Sequence, residues 1–219
     1  MDLNANTFFE ILQHLSIADI FQLCKSNKTF SHLCSTPAIK NYINRRIEEE
    51  QVLEYWDRQI DFSTLGRYLP PNKLSSWYNI AYQLYDENKA YNFDLVLGLL
   101  LSGESQMHMP LNPGERMEIS EFMEKVIKAF LFQNKDIVTL LLDLDTFLNQ
   151  VNLRDIPEML TPDELNEWKM AAKDFFQDCG SRRIYNYDEL KDTNCVDEVL
   201  LKTAVKYFLM YPQVLQKLT

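Results

Sequence analysis

Two cysteines and a histidine stand close together near the start of the chain, at Cys24, His32 and Cys34. Thiolate and imidazole groups are common zinc ligands, and a local zinc site usually holds them in pairs such as Cys-x-x-Cys or His-x-x-x-His. Neither spacing occurs in this sequence. Both cysteines instead fall on apolar faces of predicted helices, where cysteine behaves as a small hydrophobic residue. We therefore predict that they pack in a core and bind no metal.

Other residue types that carry out catalysis show no active-site pattern. His14 and His32 are expected on helix surfaces, and His108 lies in a methionine-rich loop with no adjacent nucleophile. The sequence has no nucleophile elbow, phosphate-binding loop, dinucleotide fingerprint or His-Glu-x-x-His motif. Carboxylate pairs such as Asp143 and Asp145 are common among 32 acidic residues, and none is distinguished as a general acid and base. We expect a non-enzymatic protein without catalytic residues, metal or cofactor.

The composition favours a folded, helical protein. Of 219 residues, 46% are hydrophobic and only 5 are glycine, fewer than a chain rich in hairpins and tight turns requires. A formal net charge of −10 opposes contact with phosphate backbones and anionic lipids, so we expect neither nucleic acid nor membrane as a partner. The best candidate for a local basic patch is Arg182-Arg183, close to Tyr185 and Tyr187.

The cysteines and the first residues bear on the cellular compartment. Four cysteines are too sparse for a disulfide framework, so free thiols in a reducing compartment are expected. The segment from Met1 is polar and acidic, unlike a signal peptide, and the longest apolar run, Leu95–Leu101, is too short to span a bilayer. We predict an intracellular protein, in the cytoplasm or nucleus of a host cell, or a virion component.

Apolar residues at helical spacing predict a series of short helices in the first part of the chain. The first covers Leu3–Leu15, and Ser16 caps the second. Ser26-Asn27 separates the second helix from the third, and Thr36-Pro37 opens the fourth, with threonine as the cap and proline at the first helical position.

Glycine and proline mark a predicted boundary after the fourth helix. Gly66 and Pro70-Pro71 lie close together, and a proline pair favours an extended linker over a helix. The predicted organisation is a helical head over residues 1–57, a linker over 58–71 and a helical-hairpin array or bundle over 72–219. In this last region the strongest helix start is Thr161-Pro162, and a final long helix covers Val196–Met210.

Two stretches of the predicted array are similar to each other. They are NFDLVLGLLL from Asn92 and NKDIVTLLLD from Asn134. Paired helices with a repeated second member are weakly similar to ankyrin-like repeats, but the threonine-proline-leucine-histidine turn of those repeats is missing. A generic helical array or bundle is therefore the expected form of this all-α fold.

The stretch from Leu3 to Ile43 resembles an F-box, and most of all the F-box-like segments in proteins of large DNA viruses. The shared features are a leading leucine, aliphatic pairs in the first helix, an acidic-aliphatic pair after the cap and a proline before the last helix. The matching positions are Leu3, Ile11-Leu12, Leu15, Asp19-Ile20, Leu23-Cys24, Asn27-Lys28, Phe30, Leu33-Cys34 and Pro37. The departures are Asn4, Asn6 and Thr7 in the leading segment, and Lys40-Asn41 where tryptophan is frequent.

The resemblance implies a protein-interaction function. F-box domains engage the Skp-type adaptor of cullin-RING ubiquitin ligases, and the rest of such a chain captures a target. The residues that the resemblance assigns to partner binding are Leu3, Phe8, Ile11, Leu12, Leu15, Ile20, Phe30 and Pro37. The alternative is a structural protein, such as a minor capsid or particle-associated protein of a large DNA virus, that packs the same helices against viral structural proteins.

Overall fold

Every regular element in the described part of the chain is a helix. The computed structural model describes residues 5–13, 15–85, 113–179, 184–191 and 193–219. These residues form 12 α-helices and two short 3₁₀ segments with no strand among them, which confirms the all-α class. None of the described helices combines the length and the apolar content that crossing a bilayer requires. The chain divides into two compact units, Met1–Glu54 and Tyr55–Thr219.

The N-terminal unit is built from short helices whose starts are determined locally. They are α1 (Ala5–Gln13), α2 (Ile17–Ser26), α3 (Lys28–Cys34) and the first part of α4 (Pro37–Ile60). The Ser16 hydroxyl accepts a hydrogen bond from the Asp19 amide at 3.1 Å, which confirms the predicted cap of α2. Asn27 caps α3 in the same way. Helix α4 begins at Pro37 as predicted, and the hydroxyl of the preceding Thr36 donates backwards to the Leu33 carbonyl at 2.7 Å.

The C-terminal unit begins in the last turns of α4 and contains the remaining helices. Its α-helices are α5 (Pro71–Leu84), α6 (Pro113–Gln133), α7 (Lys135–Leu148), α8 (Ile156–Met159), α9 (Pro162–Lys173), α10 (Tyr187–Leu190), α11 (Val196–Met210) and α12 (Pro212–Leu218). Its 3₁₀ segments are Phe62–Arg67 and Phe176–Cys179. The predicted helix starts at Thr161-Pro162 and Val196 are confirmed. The stretch from Asn92 lies outside the described residues.

Helix α11 lies at the centre of the C-terminal unit. It packs against α12, which follows it directly, and against α7 and α9, which lie much earlier in the sequence. Such long-range packing makes this unit a bundle about α11, one of the two arrangements that the sequence left open. The Trp168 ring contacts Tyr207 and Phe208 of α11 edge to face, with centroids 5.4 and 6.2 Å apart. The Trp56 indole Nε1–H donates to the Leu141 carbonyl at 3.0 Å, which satisfies its buried polar group.

Residues 58–71, which the sequence analysis assigned to a linker, are a packed part of the C-terminal unit. Phe62, Leu65 and Tyr68 are between 0% and 3% exposed. Pro71 is the first residue of α5, where its missing N–H leaves no hydrogen bond unmade. Pro70 alone has the extended backbone that a proline pair favours. The segment is therefore a turn that contributes to a core.

Candidate protein-interaction module

The N-terminal unit has a small apolar core of its own. Its buried residues, from α1, α2 and α4, are Phe8, Leu12, Ile20, Ile39 and Ile43. Helix α3 has no fully buried residue and reaches this core through side chains that stay partly exposed. One of them is Phe30, whose ring stacks on Phe8 with centroids 5.4 Å apart. All four helices thus pack around a single core, and α3 contributes only partly buried side chains to it.

The cysteines of this unit are bonded to each other, which corrects the prediction of free thiols. Cys24 on α2 and Cys34 at the end of α3 form a disulfide with Cα atoms 5.9 Å apart. Cys179 and Cys195 form a second disulfide in the C-terminal unit. The prediction failed because it rested on cysteine density, whereas a disulfide needs only two Cα atoms at bonding distance. Adjacent short helices provide that distance when each carries a cysteine on its inner face.

The predicted partner-binding residues differ in how accessible they are. Those with no exposed surface are Phe8, Leu12 and Ile20. These three hold the unit together, and they cannot touch a partner while it stays folded. Leu15 and Phe30 are half-buried, and Ile11 and Pro37 are exposed. Leu3 lies outside the described residues.

An exposed aromatic residue on α2 was missed by the sequence reasoning. Phe21 is 43% exposed, and Ile11 on α1 is 39% exposed. Lys25, one turn further along α2, is also exposed, and Phe21 lies beside it at the edge of the apolar stripe that contains Ile20. The available signal was an aromatic side chain at the edge of that stripe, since aromatic residues are enriched at interfaces.

The candidate metal ligands do not come together in the described parts of the chain. No group of three or more histidine, cysteine, aspartate or glutamate side chains converges there. His32 is exposed on α3. His14 and His108 lie outside the described residues, as does the predicted basic pair Arg182-Arg183.

A network of charged side chains in the C-terminal unit joins the two 3₁₀ segments to α11. The Asp178 carboxylate accepts from the Arg67 guanidinium at 3.2 and 3.3 Å and from Lys202 Nζ at 2.6 Å. Lys202 also bonds Glu198 at 2.7 Å. The Arg67 guanidinium lies 5.0 Å above the Phe175 ring, to which it presents a cation–π contact. The charges are balanced, and Arg67, Asp178 and Lys202 are half-buried, as in a structural network.

The pKa values in this network follow from burial and pairing. Burial alone would raise the pKa of Asp178, but hydrogen bonds from Lys202 and Arg67 and their positive charges bring it below its usual value. Burial opposes the charged form of Lys202, yet its bonds to Asp178 and Glu198 raise its pKa. Burial raises the pKa of Tyr68 to about 12. These shifts stabilise the ionised pair and the neutral phenol, and none of them prepares a general base near neutral pH.

A groove of about 450 Å³ on the C-terminal unit lies between α5, α7, α11 and α12. Its charged lining residues are Lys73, Asp136 and Asp143. Lys73 Nζ bonds the Asp136 carboxylate at 2.6 Å and the Asn134 side-chain oxygen at 3.0 Å. The rest of the described lining is apolar or carries uncharged amide and hydroxyl groups.

Comparison with known proteins gives no family. No family model matches the chain, and searches of curated proteins and of solved structures find no match. The geometry of the N-terminal unit is therefore the basis for a functional proposal.

Proposed function

We propose that the N-terminal unit is an F-box-like module that binds the Skp-type adaptor of cullin-RING ubiquitin ligases, while the C-terminal unit captures a target. The protein would then be a non-enzymatic, intracellular interaction protein. One observation carries the proposal. Leu12 and Ile20, two matched positions of the F-box resemblance, are buried in the core of a separate compact unit, and Ile11 and Phe21 remain exposed on that unit.

The proposed contact surface consists of the exposed apolar residues of α1 and α2. Ile11 belongs to the set that the resemblance assigns to partner binding, and Phe21 adds an aromatic side chain, a type enriched at interfaces. The leading segment departs from the family at Asn4, Asn6 and Thr7. We therefore assign the main apolar contact to Ile11 and Phe21. Phe8, Leu12 and Ile20 support it only through the fold.

The test is complex formation between the full chain and a purified Skp-type adaptor. At about 10 µM of each protein, a functional module should co-elute with the adaptor in size-exclusion chromatography. Phe21→Glu and Ile11→Glu should abolish co-elution, because each places a charge in an apolar contact. The matched control is Gln22→Glu, which adds the same charge at the neighbouring exposed position of α2. Circular dichroism verifies that all variants keep their helices.

The oxidation state is the second variable in this test. The cytosol keeps most thiols reduced, so an intracellular module must bind with Cys24 and Cys34 as thiols. The experiment is run with and without a dithiol reductant. Co-elution under reducing conditions supports the proposal. Absence of a complex in both conditions contradicts it, and so does a complex that Phe21→Glu and Ile11→Glu leave intact.

A further inference from the structure

The basic residues of the N-terminal unit are concentrated in one part of the sequence. Between Ile20 and Ile47 there is no aspartate or glutamate, although the whole chain has a formal net charge of −10. The basic residues of this stretch are Lys25, Lys28, Lys40, Arg45 and Arg46. An acidic protein therefore presents one strongly positive segment, formed by the end of α2, by α3 and by the start of α4.

Three of these lysines are exposed and unpaired within the described residues. Lys25, Lys28 and Lys40 are exposed, and no described carboxylate lies within ion-pair distance of them. Many basic side chains of the C-terminal unit, in contrast, pair with a carboxylate. Lys73 pairs with Asp136, for example, and Lys206 with Asp174. The positive charge on the N-terminal unit is thus available to another molecule.

Two of the lysines are unfavourable for the helices that carry them. Lys28 is the first residue of α3, and Lys40 lies in the first turn of α4. A helix N-terminus carries partial positive charge, so a cation there is destabilising, and neither helix has an acidic residue in its first turn. Helix stability does not explain these two lysines, whereas a role in binding does.

Short connections link the lysines and Phe21 along the chain. Phe21 and Lys25 are one turn apart on α2. Lys25 and Lys28 are at most about 10 Å apart along the chain. The Cys24–Cys34 disulfide holds the ends of α2 and α3 together, and the Lys40 amide donates to the Thr36 carbonyl just beyond Cys34.

We infer that Phe21, Lys25, Lys28 and Lys40 form a basic–apolar surface that binds an acidic protein segment with an apolar side chain for Phe21. Charge complementarity favours an acidic partner, and the exposed aromatic residue favours a protein over a phosphate backbone. The negative charge of the rest of the chain also opposes a nucleic acid. This inference deepens the proposed function. It rests on the proposed function only in placing the binding site on the N-terminal unit.

The test uses the full chain and two labelled probes in fluorescence anisotropy. One probe is an acidic peptide of about 20 glutamate, leucine and phenylalanine residues, and the other is a DNA duplex of about 20 base pairs. In Lys28→Glu/Lys40→Glu, the peptide affinity should fall about tenfold or more, because two attractive charges become repulsive. The urea midpoint of this variant should stay unchanged or rise, since glutamate suits a helix N-terminus. Lost affinity without lost stability separates a binding role from a structural one.

The matched control is Lys125→Glu/Lys135→Glu, which makes the same charge change at two exposed lysines of the C-terminal unit, and Lys135, like Lys28, is the first residue of its helix. The control should bind the peptide like the native chain. Equal loss in both variants, or no loss in Lys28→Glu/Lys40→Glu, overturns the inference, and tighter binding of DNA than of the peptide overturns the class of partner. The peptide assay contains no adaptor, so its outcome is independent of the adaptor test. If the chain binds the peptide but forms no complex with the adaptor, the proposed function is contradicted and the inference stands.

Discussion

The two units of this chain are stabilised by different means. The N-terminal unit buries a few aliphatic residues and one phenylalanine, and a disulfide links its third helix to its second. The C-terminal unit buries the three tryptophans, Trp56, Trp77 and Trp168, and it adds a network of ion pairs around Asp178. Units of fewer than about 60 residues bury a smaller fraction of their surface and are marginally stable alone.

The difference indicates which unit depends on a cross-link or a bound partner for its stability. A unit with a large aromatic core keeps its fold whether or not a partner is present. A unit with a small core gains a large share of its stability from a cross-link or from binding, because a bound partner stabilises the folded state by mass action. We therefore expect perturbations of equal size to unfold the N-terminal unit and merely weaken the C-terminal one.

The largest expected effect is that of Trp168→Ala in the C-terminal core. Trp168 is fully buried and its Nε1–H donates to the Tyr187 hydroxyl at 3.1 Å. Its removal should lower the free energy of unfolding by about 3–5 kcal/mol, through a cavity and a lost hydrogen bond. Urea unfolding measures this value. Met170→Ala on the same helix is the control, since Met170 is 61% exposed and should change stability little. Equal effects of the two substitutions would refute the assignment of the core.

Removing the disulfides one at a time compares the units directly. Chain-entropy estimates give about 3 kcal/mol for each, because the two loops are of similar length. Cys24→Ser/Cys34→Ser should leave α3 largely unprotected in hydrogen exchange, since α3 has no fully buried residue. Cys179→Ser/Cys195→Ser should preserve the protection of α11. If α3 stays as protected as α11 after both changes, the contrast between the units is wrong.

Asp178→Asn should have an intermediate effect. The change keeps the shape of the side chain but removes the charge that Arg67 and Lys202 pair with, and it should cost about 1–3 kcal/mol. The lowered pKa of Asp178 stabilises the native chain above the unfolded value of about 3.9, and this contribution is lost as the pH falls through the folded pKa. The variant should lack that acid dependence in urea titrations. Asp197→Asn, in an exposed pair with Arg154, is the control and should have a smaller effect, because solvent screens an exposed pair.

The smallest predicted effect is an alkaline loss of stability. Burial raises the pKa of Tyr68 to about 12, so its contribution is complete below the unfolded value of about 10 and is lost as the pH rises towards the folded one. Between about pH 10 and 11 the loss should be roughly 1 kcal/mol. Tyr68→Phe should flatten this slope in urea midpoints. The slope should not vanish, because the raised pKa of Lys202 acts in the same direction. An unchanged slope would contradict the burial of the phenol.

The sequence predicted helix starts and ends correctly where they depend on residues close together in the chain. Thr161 and Glu164 form the reciprocal hydrogen bonds of a capping box, and an apolar run before Pro212 gives α11 its predicted bounds. Burial of Phe62 and Tyr68 depends on residues far away in the chain, so no local pattern separated this turn from a linker. Helical periodicity likewise identified Phe8 as apolar, but it cannot tell a core residue from an interface residue.

The disulfides and Phe21 of α2 show the same limit. Pairing of Cys24 with Cys34 depends on how α2 and α3 pack, and the sequence shows only that each helix carries a cysteine. Helical periodicity puts Phe21 at the edge of the apolar stripe that includes Ile20, and it does not show that Phe21 is exposed while Ile20 is buried. Residues at the edge of the stripe are ones that a partner can reach. Candidate interface residues are therefore best sought as apolar side chains at the edges of apolar stripes.

Hydrogen exchange of the full chain, with and without the Skp-type adaptor under reducing conditions, tests the central claim most directly. It reports protection segment by segment, so it locates the contact as well as detecting it. We expect the adaptor to slow exchange in α1–α3 and to leave exchange in α7, α9 and α11 unchanged. Protection confined to the C-terminal helices, or no change in either unit at saturating adaptor, would contradict it.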